Sequence, residues 1–391
     1  MKHYQYLIVG GGLTGDAAAR GIRELDSTGT IGMFSTEPDP PYMRPNLSKG
    51  LWKGRPLEKI WRNTQNLGVE LNLRHTITQL DTKNKSVCDD QGNEFTYGKL
   101  LLATGGSPVY LPFAKDDIIY YRDFQDYLRL RALTEQGNHF LVIGGGFVGS
   151  EIAAALNMIG KKATMIFPEE AIGASIYPSE LAYYLNDYYR QKGVDVLTND
   201  SVVSIEKNWG RLTVRTRSGQ SIKVDGVVAG IGIRPNLELA NQSGLQVDNG
   251  IVVDEHLLTS APDVFAAGDV ANFFHAVLGK RVRVGHEDNA VTMGKMAGRN
   301  MAGANESYTH TPMFYSDLFD LGYEAVGDMN SKMETVTDWQ EPFKKGVVYY
   351  MDQNRVRGAL LWNVWDKVDQ ARALMSETGP FTAANLKGRI S

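Results

Sequence analysis

The chain has 391 residues, too many for one compact domain at about 100–200 residues each, and its 41 Lys and Arg against 45 Asp and Glu give a formal charge of −4. That balance lacks the basic excess of a nucleic-acid binder, and 42 % hydrophobic with 22 % charged residues is too apolar for disorder. The single cysteine, Cys88, excludes an internal disulfide, a dithiol redox centre and any multi-cysteine metal or iron–sulfur site, so no metal is expected.

The run Tyr6-Leu7-Ile8-Val9 starts almost at once and breaks on three glycines. This leaves no room for the ~7–15 apolar residues of a secretory signal. No run approaches the ~18 apolar residues of a membrane span, so a cytoplasmic protein without membrane insertion is expected.

Residues 6–25 read YLIVGGGLTGDAAARGIREL, and residues 140–160 read FLVIGGGFVGSEIAAALNMIG. Each copy is a β-rich run, a glycine turn and an alanine-rich helical stretch, followed by another short apolar run (30–34 and 163–167). The triads are Gly10, Gly12, Gly15 and Gly144, Gly146, Gly149. The first glycine turns the strand, the second admits a pyrophosphate, and the third lets helix and strand pack closely. The phosphate then rests on the free amides and positive end of the helix. A lone motif is often a turn without a ligand; two in the same context point to two dinucleotides in one chain.

An acid near the end of each second strand would hold a ribose. Pro168-Glu169-Glu170 follows Phe167, and a Glu169 carboxylate there would repel a 2′-phosphate, so NADH should be preferred over NADPH. Glu37 lies about twenty residues past Gly15, inside the usual window. Its other reading is a solvated turn acid before Pro38.

Further segments join these turns: PYMRPNLSKGLW (41–52), LLATGGSP (101–108), GIGIRPN (230–236), VFAAGDVANF (264–273), VGHEDNAV (284–291), MFYSDLFDLGYEAVGDM (313–329) and GALLWNVWDKVDQAR (358–372). Taken in order, they resemble the two-dinucleotide-fold flavoprotein reductases of the pyridine nucleotide-disulfide oxidoreductase superfamily. Within it the chain is most similar to the ferredoxin and rubredoxin reductases and to the oxidoreductase core of the apoptosis-inducing factors. The resemblance implies an α/β fold of two Rossmann-like dinucleotide-binding domains plus a small α+β C-terminal domain. Residues 1–112 and 234–303 would form a discontinuous FAD domain, 113–233 the NADH domain and 304–391 the C-terminal domain. In the last, residues 345–350 and 355–362 alternate around Asp352-Gln353-Asn354 as a hairpin, with a helix over about 366–377.

By this resemblance Gly10, Gly12, Gly15 and Glu37 hold the FAD pyrophosphate and ribose, although relatives carry an acid where this chain has Thr36. Arg44, Ile77, Ala103, Thr104, Gly105, Arg122, Gly232, Gly268, Asp269, His286, Glu287 and Tyr315 match cofactor-side positions. Asp269 would meet the ribityl chain, or else simply cap a helix. Tyr315 stands where apoptosis-inducing factors have tryptophan. Gly144, Gly146, Val148, Gly149 and Glu169 belong to the NADH turn. Phe147 matches an aromatic that covers the flavin, and could equally be core. His286 is as readily structural. Lys49 and Glu151 match an ion pair beside the flavin, where cationic density stabilises the reduced ring. Otherwise they are a surface lysine and a helix-face glutamate that never meet.

Disulfide and peroxide reductases of this superfamily need cysteine early in the chain, and residues 41–49 contain none. Electrons would therefore leave from the flavin. The expected activity is hydride transfer from NADH to FAD, then delivery of electrons to a small carrier such as rubredoxin or ferredoxin. An NADH oxidase or quinone reductase with a diffusible acceptor, and a redox-sensing flavoprotein, stay open. So does oligomeric state, a homodimer included.

Overall fold

The computed structural model describes residues 1–208 and 210–390. At the first glycine turn, strand Lys2–Val9 leads into helix Leu13–Leu25 and strand Ile31–Ser35. At the second, strand His139–Ile143 leads into helix Phe147–Met158 and strand Lys162–Ile166. Short β-branched and aromatic runs make the strands, and good helix formers the helices.

The chain divides into two compact units. The first comprises residues 1–44, 56–107 and 234–312. Its sheet runs in the order Val69–Leu73, Ile31–Ser35, Lys2–Val9, Glu94–Leu102, Ser86–Asp89, Ile77–Asp81, and Val264–Ala266 also pairs with Glu94–Leu102. The strands around Lys2–Val9 pair in parallel, while the Ile77–Asp81 and Ser86–Asp89 end is antiparallel. Leu7, Ile8, Leu100 and Leu101 are wholly buried, as expected for parallel strands covered on both faces. Val9 pairs with both Phe34 and Leu102, so three strand ends align beside Gly10. That carboxyl edge is where open α/β sheets bind ligands.

Helix Glu287–Met301 lies on helix Leu13–Leu25 with backbone against backbone. A Cβ on Gly21, Gly294 or Gly298 would stand 2.0, 2.4 or 2.0 Å from the carbonyl oxygens of Lys295, Thr14 and Ala18. Only residues without a side chain permit that approach.

The second unit comprises residues 45–55, 108–233 and Met313 onward. One sheet is wholly parallel, ordered Asp195–Leu197, Lys162–Ile166, His139–Ile143, Gly226–Ala229, Ile118–Tyr120. A three-stranded antiparallel meander, Val202–Asn208, Arg211–Thr216 and Ser221–Val224, forms a sheet of its own. A separate antiparallel sheet follows, ordered Met313–Leu318, Leu321–Gly327, Arg355–Trp362, Lys345–Asp352, Glu334–Glu341. Its expected hairpin turns on Gln353 and Asn354, at φ +51° and +56°, the two left-handed positions of a tight hairpin. The covering helix is Val368–Ser376, with Ala371, Leu374 and Met375 buried. It starts later than the sequence suggests because Asp366 adopts φ +60° and cannot be helical.

Residues 45–55 join this second unit through specific bonds. The Tyr121 hydroxyl donates to Leu47 O at 2.5 Å, and Lys53 Nζ lies 2.8 Å from Asp317 Oδ2. Among the described residues no helix is long and apolar enough to cross a membrane.

Candidate active site

The first glycine turn is built as its spacing demands. Gly10 sits at φ +130°, and a Cβ there would meet Ala103 O at 2.0 Å. A Cβ on Gly15 would meet Gly10 O at 2.2 Å. Gly12 differs: it caps helix Leu13–Leu25 without a side-chain bond, and a Cβ on it would meet nothing within 4 Å. The helix amides therefore face open space, the cradle that a pyrophosphate needs.

Around this turn the first unit gathers further expected residues. Thr104 Oγ1 donates to Asn236 O at 2.9 Å, and Asn236 N donates to Gly105 O at 3.0 Å, which pins the Ala103-Thr104-Gly105 loop. Gly268 lies at φ +77° against Thr14, and Asp269 follows it, half-buried. Glu37 is not a solvated turn acid. Its Oε1 accepts from Arg44 at 2.5 Å and its Oε2 from the Tyr42 hydroxyl at 2.7 Å, while Arg44 lies 4.9 Å from the Tyr42 ring. Burial opposes the Arg44 charge, but Tyr42, Glu37 and Asp269 outweigh it and hold the guanidinium firmly protonated. His286 caps helix Glu287–Met301, with Glu287 as its first residue. Ile77 is buried in the sheet core at the start of strand Ile77–Asp81.

The second glycine turn repeats the geometry. Gly144 sits at φ +116° with a Cβ position 2.4 Å from Gly230 O, and a Cβ on Gly149 would meet Gly144 O at 2.1 Å. Gly146 caps helix Phe147–Met158 into open space. Val148 packs toward Gly230, and Gly232 sits at φ +98° with its carbonyl accepting from Val109 N. Glu169 is exposed just beyond strand Lys162–Ile166. Arg122 donates its backbone N–H to Asp126 in the capping box of helix Phe124–Gln136.

The expected ion pair forms. Lys49 Nζ lies 2.8 Å from Glu151 Oε1, with the side chains 13 % and 4 % exposed. Lys49 also stands 5.1 Å from the Tyr315 ring. Two residues that the motifs do not reveal complete the carboxylate: Ser316 Oγ donates to Oε1 at 2.5 Å and Ser48 Oγ to Oε2 at 2.6 Å. The charge is felt around it. Burial pushes the Tyr121, Tyr177, Tyr189 and Tyr323 hydroxyls well above the phenol range, and Glu151 adds to each shift. Phe147 packs edge-on against Phe314, ring centroids 5.3 Å apart.

One cluster among the described residues, His75, Asp89 and Asp90, has the spacing of metal ligands. Asp89 spends its oxygens on the His75 ring, the Asn93 side chain and the Gln91 and Asn93 amides, which makes the cluster a bonded turn. Cys88, on strand Ser86–Asp89, points its thiol at Asp89 O.

The model of the pyridine nucleotide-disulphide oxidoreductase family matches residues 4–294. The chain belongs to that family. It is accordingly an FAD-dependent oxidoreductase working with NAD(H), and the two open helix ends described above fit those groups. Residues 297–342 and 337–377 match a second family, the C-terminal region of mitochondrion-associated apoptosis-inducing factor. Apoptosis-inducing factor 1 of Dictyostelium discoideum is 34 % identical over 96 % of this chain and 79 % of its own length. The 5,5′-dehydrodivanillate O-demethylase ferredoxin reductase subunit of Sphingobium is also 34 % identical, over 96 % of this chain and 94 % of its own. The solved covalent complex of putidaredoxin reductase with putidaredoxin matches 99 % of this chain and 96 % of that one at TM-score 0.91 and 27 % identity.

Proposed function

We propose that this oxidoreductase passes electrons from NADH, through FAD held at the first glycine turn, to a small electron-carrier protein such as a rubredoxin or ferredoxin. One observation excludes a disulfide relay as the route from the flavin. Cys88, the chain's one cysteine, bonds a backbone carbonyl on strand Ser86–Asp89 of the first unit's sheet, while residues 41–55 offer charge and hydroxyls but no thiol. A disulfide relay has no residues to use, so the flavin itself must hand on the electrons. The Sphingobium relative is named as a ferredoxin reductase subunit, and the solved complex pairs a reductase with putidaredoxin, which supports a protein acceptor.

Bound FAD supplies the ability to accept a hydride from NADH and release electrons singly. Each residue then has a defined task. The amides after Gly12 and Gly146 hold the two pyrophosphates. Glu169 accepts from a ribose hydroxyl and repels a 2′-phosphate, favouring NADH. Arg44, fixed by Glu37 and Tyr42, offers a rigid cation to the FAD side. Lys49, oriented by Glu151, stabilises the charge that reduction adds. In this reading residues 1–112 with 234–303 serve FAD, 113–233 serve NADH and 304–391 form the C-terminal domain, and the protein works in the cytoplasm.

The match to the apoptosis-inducing-factor C-terminal family supports a second reading, a flavoprotein whose reduced state is a signal. Stopped-flow reoxidation of the NADH-reduced protein separates the two. Rubredoxin or ferredoxin should outpace dioxygen and quinones by at least about tenfold, the gain from a docked acceptor. Reduced protein that persists with every acceptor overturns the carrier reading in favour of the signal. Fastest turnover with a quinone or dioxygen overturns both.

A further inference from the structure

The helix that starts at the second glycine turn and the first strand of the C-terminal sheet interlock. Phe147 and Glu151 lie four apart on helix Phe147–Met158 and share a face. Phe314 and Ser316 lie two apart on strand Met313–Leu318 and also share a face. The rings of Phe147 and Phe314 meet edge to face, and Ser316 meets Glu151 one turn further on. From the other side, Ser48 reaches the second oxygen of the same carboxylate, next to Lys49 in sequence. Ser316 is 1 % exposed and Glu151 4 %.

We propose that Ser316, with Ser48, is a positioning residue that fixes the Glu151 carboxylate and thereby the place of the Lys49 ammonium. This rests on the reading that Lys49 serves bound FAD. The terminal torsion of glutamate is broad, and a lysine ammonium is a point charge on a flexible stem, so their ion pair alone specifies little orientation. Two hydroxyls, one on each oxygen, fix the carboxylate plane, and the ammonium must follow the oxygen it is paired with. The C-terminal sheet thus takes part in the redox site through one hydroxyl. A purely structural role, in which Ser316 only satisfies its own hydrogen bond, predicts lost stability and no change at the flavin.

The test uses FAD-loaded wild type, Ser316→Ala, Ser48→Ala, Lys49→Met and the Lys49→Met/Ser316→Ala double variant. Ser316→Ala should keep its FAD while its limiting rate of reduction by NADH falls roughly tenfold, about the worth of one hydrogen bond to a charged group. The NADH concentration for half-saturation should hold within about twofold, and the flavin midpoint potential should shift. With Lys49 already replaced, removing Ser316 should change the rate no further. A wild-type rate and potential in Ser316→Ala, or the same tenfold loss in the Lys49→Met background, overturns the inference while the function reading stands. If Ser316→Ala does not fold, Ser48→Ala decides on the same measurements. Wild type that takes up no FAD, or is not reduced by NADH, overturns the function reading instead. Melting temperatures of the same cofactor-free chains then decide the inference: the double variant should lose less than the sum of its singles, and additive losses overturn it.

Discussion

Asp89 takes no part in the proposed chemistry, yet its carboxylate accepts from the His75 ring, the Asn93 side chain and the amides of Gln91 and Asn93. Burial alone would raise this carboxyl; those donors outweigh it and hold it at about 2. The unfolded group titrates near ~3.9, so the native fold is favoured by ionised Asp89 at every pH above that value. The advantage drains away as pH falls through about 4 toward 2. Asp89→Asn should therefore melt about 2–5 °C below wild type at pH 7 and approach wild type near pH 2. Thermal melts across that range check this. A gap of the same size at both ends would mean that volume or packing, not charge, is what Asp89 contributes.

At the scale of elements, legibility depends on whether the signal is local. Each strand–turn–helix copy announces itself because the glycine roles lie within a few residues of one another, and the 353–354 turn is legible for the same reason. The contact of helix Glu287–Met301 with helix Leu13–Leu25 is not: Gly294 and Gly298 are separated from Thr14 and Ala18 by most of the chain. Ser316 escapes notice similarly, since nothing near it names Glu151 as its partner, and Ser48 is passed over beside Lys49 because a serine in that stretch carries no signal of its own. Glu37 was legible as a candidate acid but not as the partner of Arg44 and Tyr42. The glycine contacts make a direct prediction. At Gly298 a Cβ would press on Ala18 O, Ala18 C and Ala18 Cα at 2.0, 2.7 and 2.8 Å, all backbone atoms that no rotamer change can move. Gly298→Val should cost at least about 1–3 kcal/mol, read as a lower urea midpoint. Gly303→Val, at φ +98° but facing open space, should cost its backbone strain alone and so separates strain from clash. An unchanged urea midpoint in Gly298→Val would show that helix spacing is not set by Gly298.

For the whole molecule, the two motifs were enough to read two dinucleotide sites in one chain, because glycine spacing encodes the backbone geometry of such turns, while the reductase family came only from the resemblance of the further segments. What the motifs could not reach is the division of labour between the copies, since both turns read alike and both present an uncapped helix to open space. The two middle glycines offer a way to separate them. Gly12 and Gly146 have φ of −92° and −85°. A Cβ on either meets nothing within 4 Å, so an aspartate fits without strain. As helix caps, both aspartates should even be neutral or mildly stabilising. Each nevertheless puts a carboxylate where a pyrophosphate must lie, taking its amides and repelling its charge. Gly12→Asp should fold, melt near wild type without cofactor and purify colourless, with no shift in melting temperature on adding FAD. Wild type should instead gain stability with FAD by mass action, about 2.7 kcal/mol at a hundredfold excess over Kd. Gly146→Asp should remain yellow and lose reduction by NADH, while a chemical reductant still bleaches it. If Gly12→Asp kept its flavin, or Gly146→Asp lost it, the nucleotides would have to be exchanged between the two turns. The tasks given above to Glu37, Arg44 and Glu169 would then change places with them.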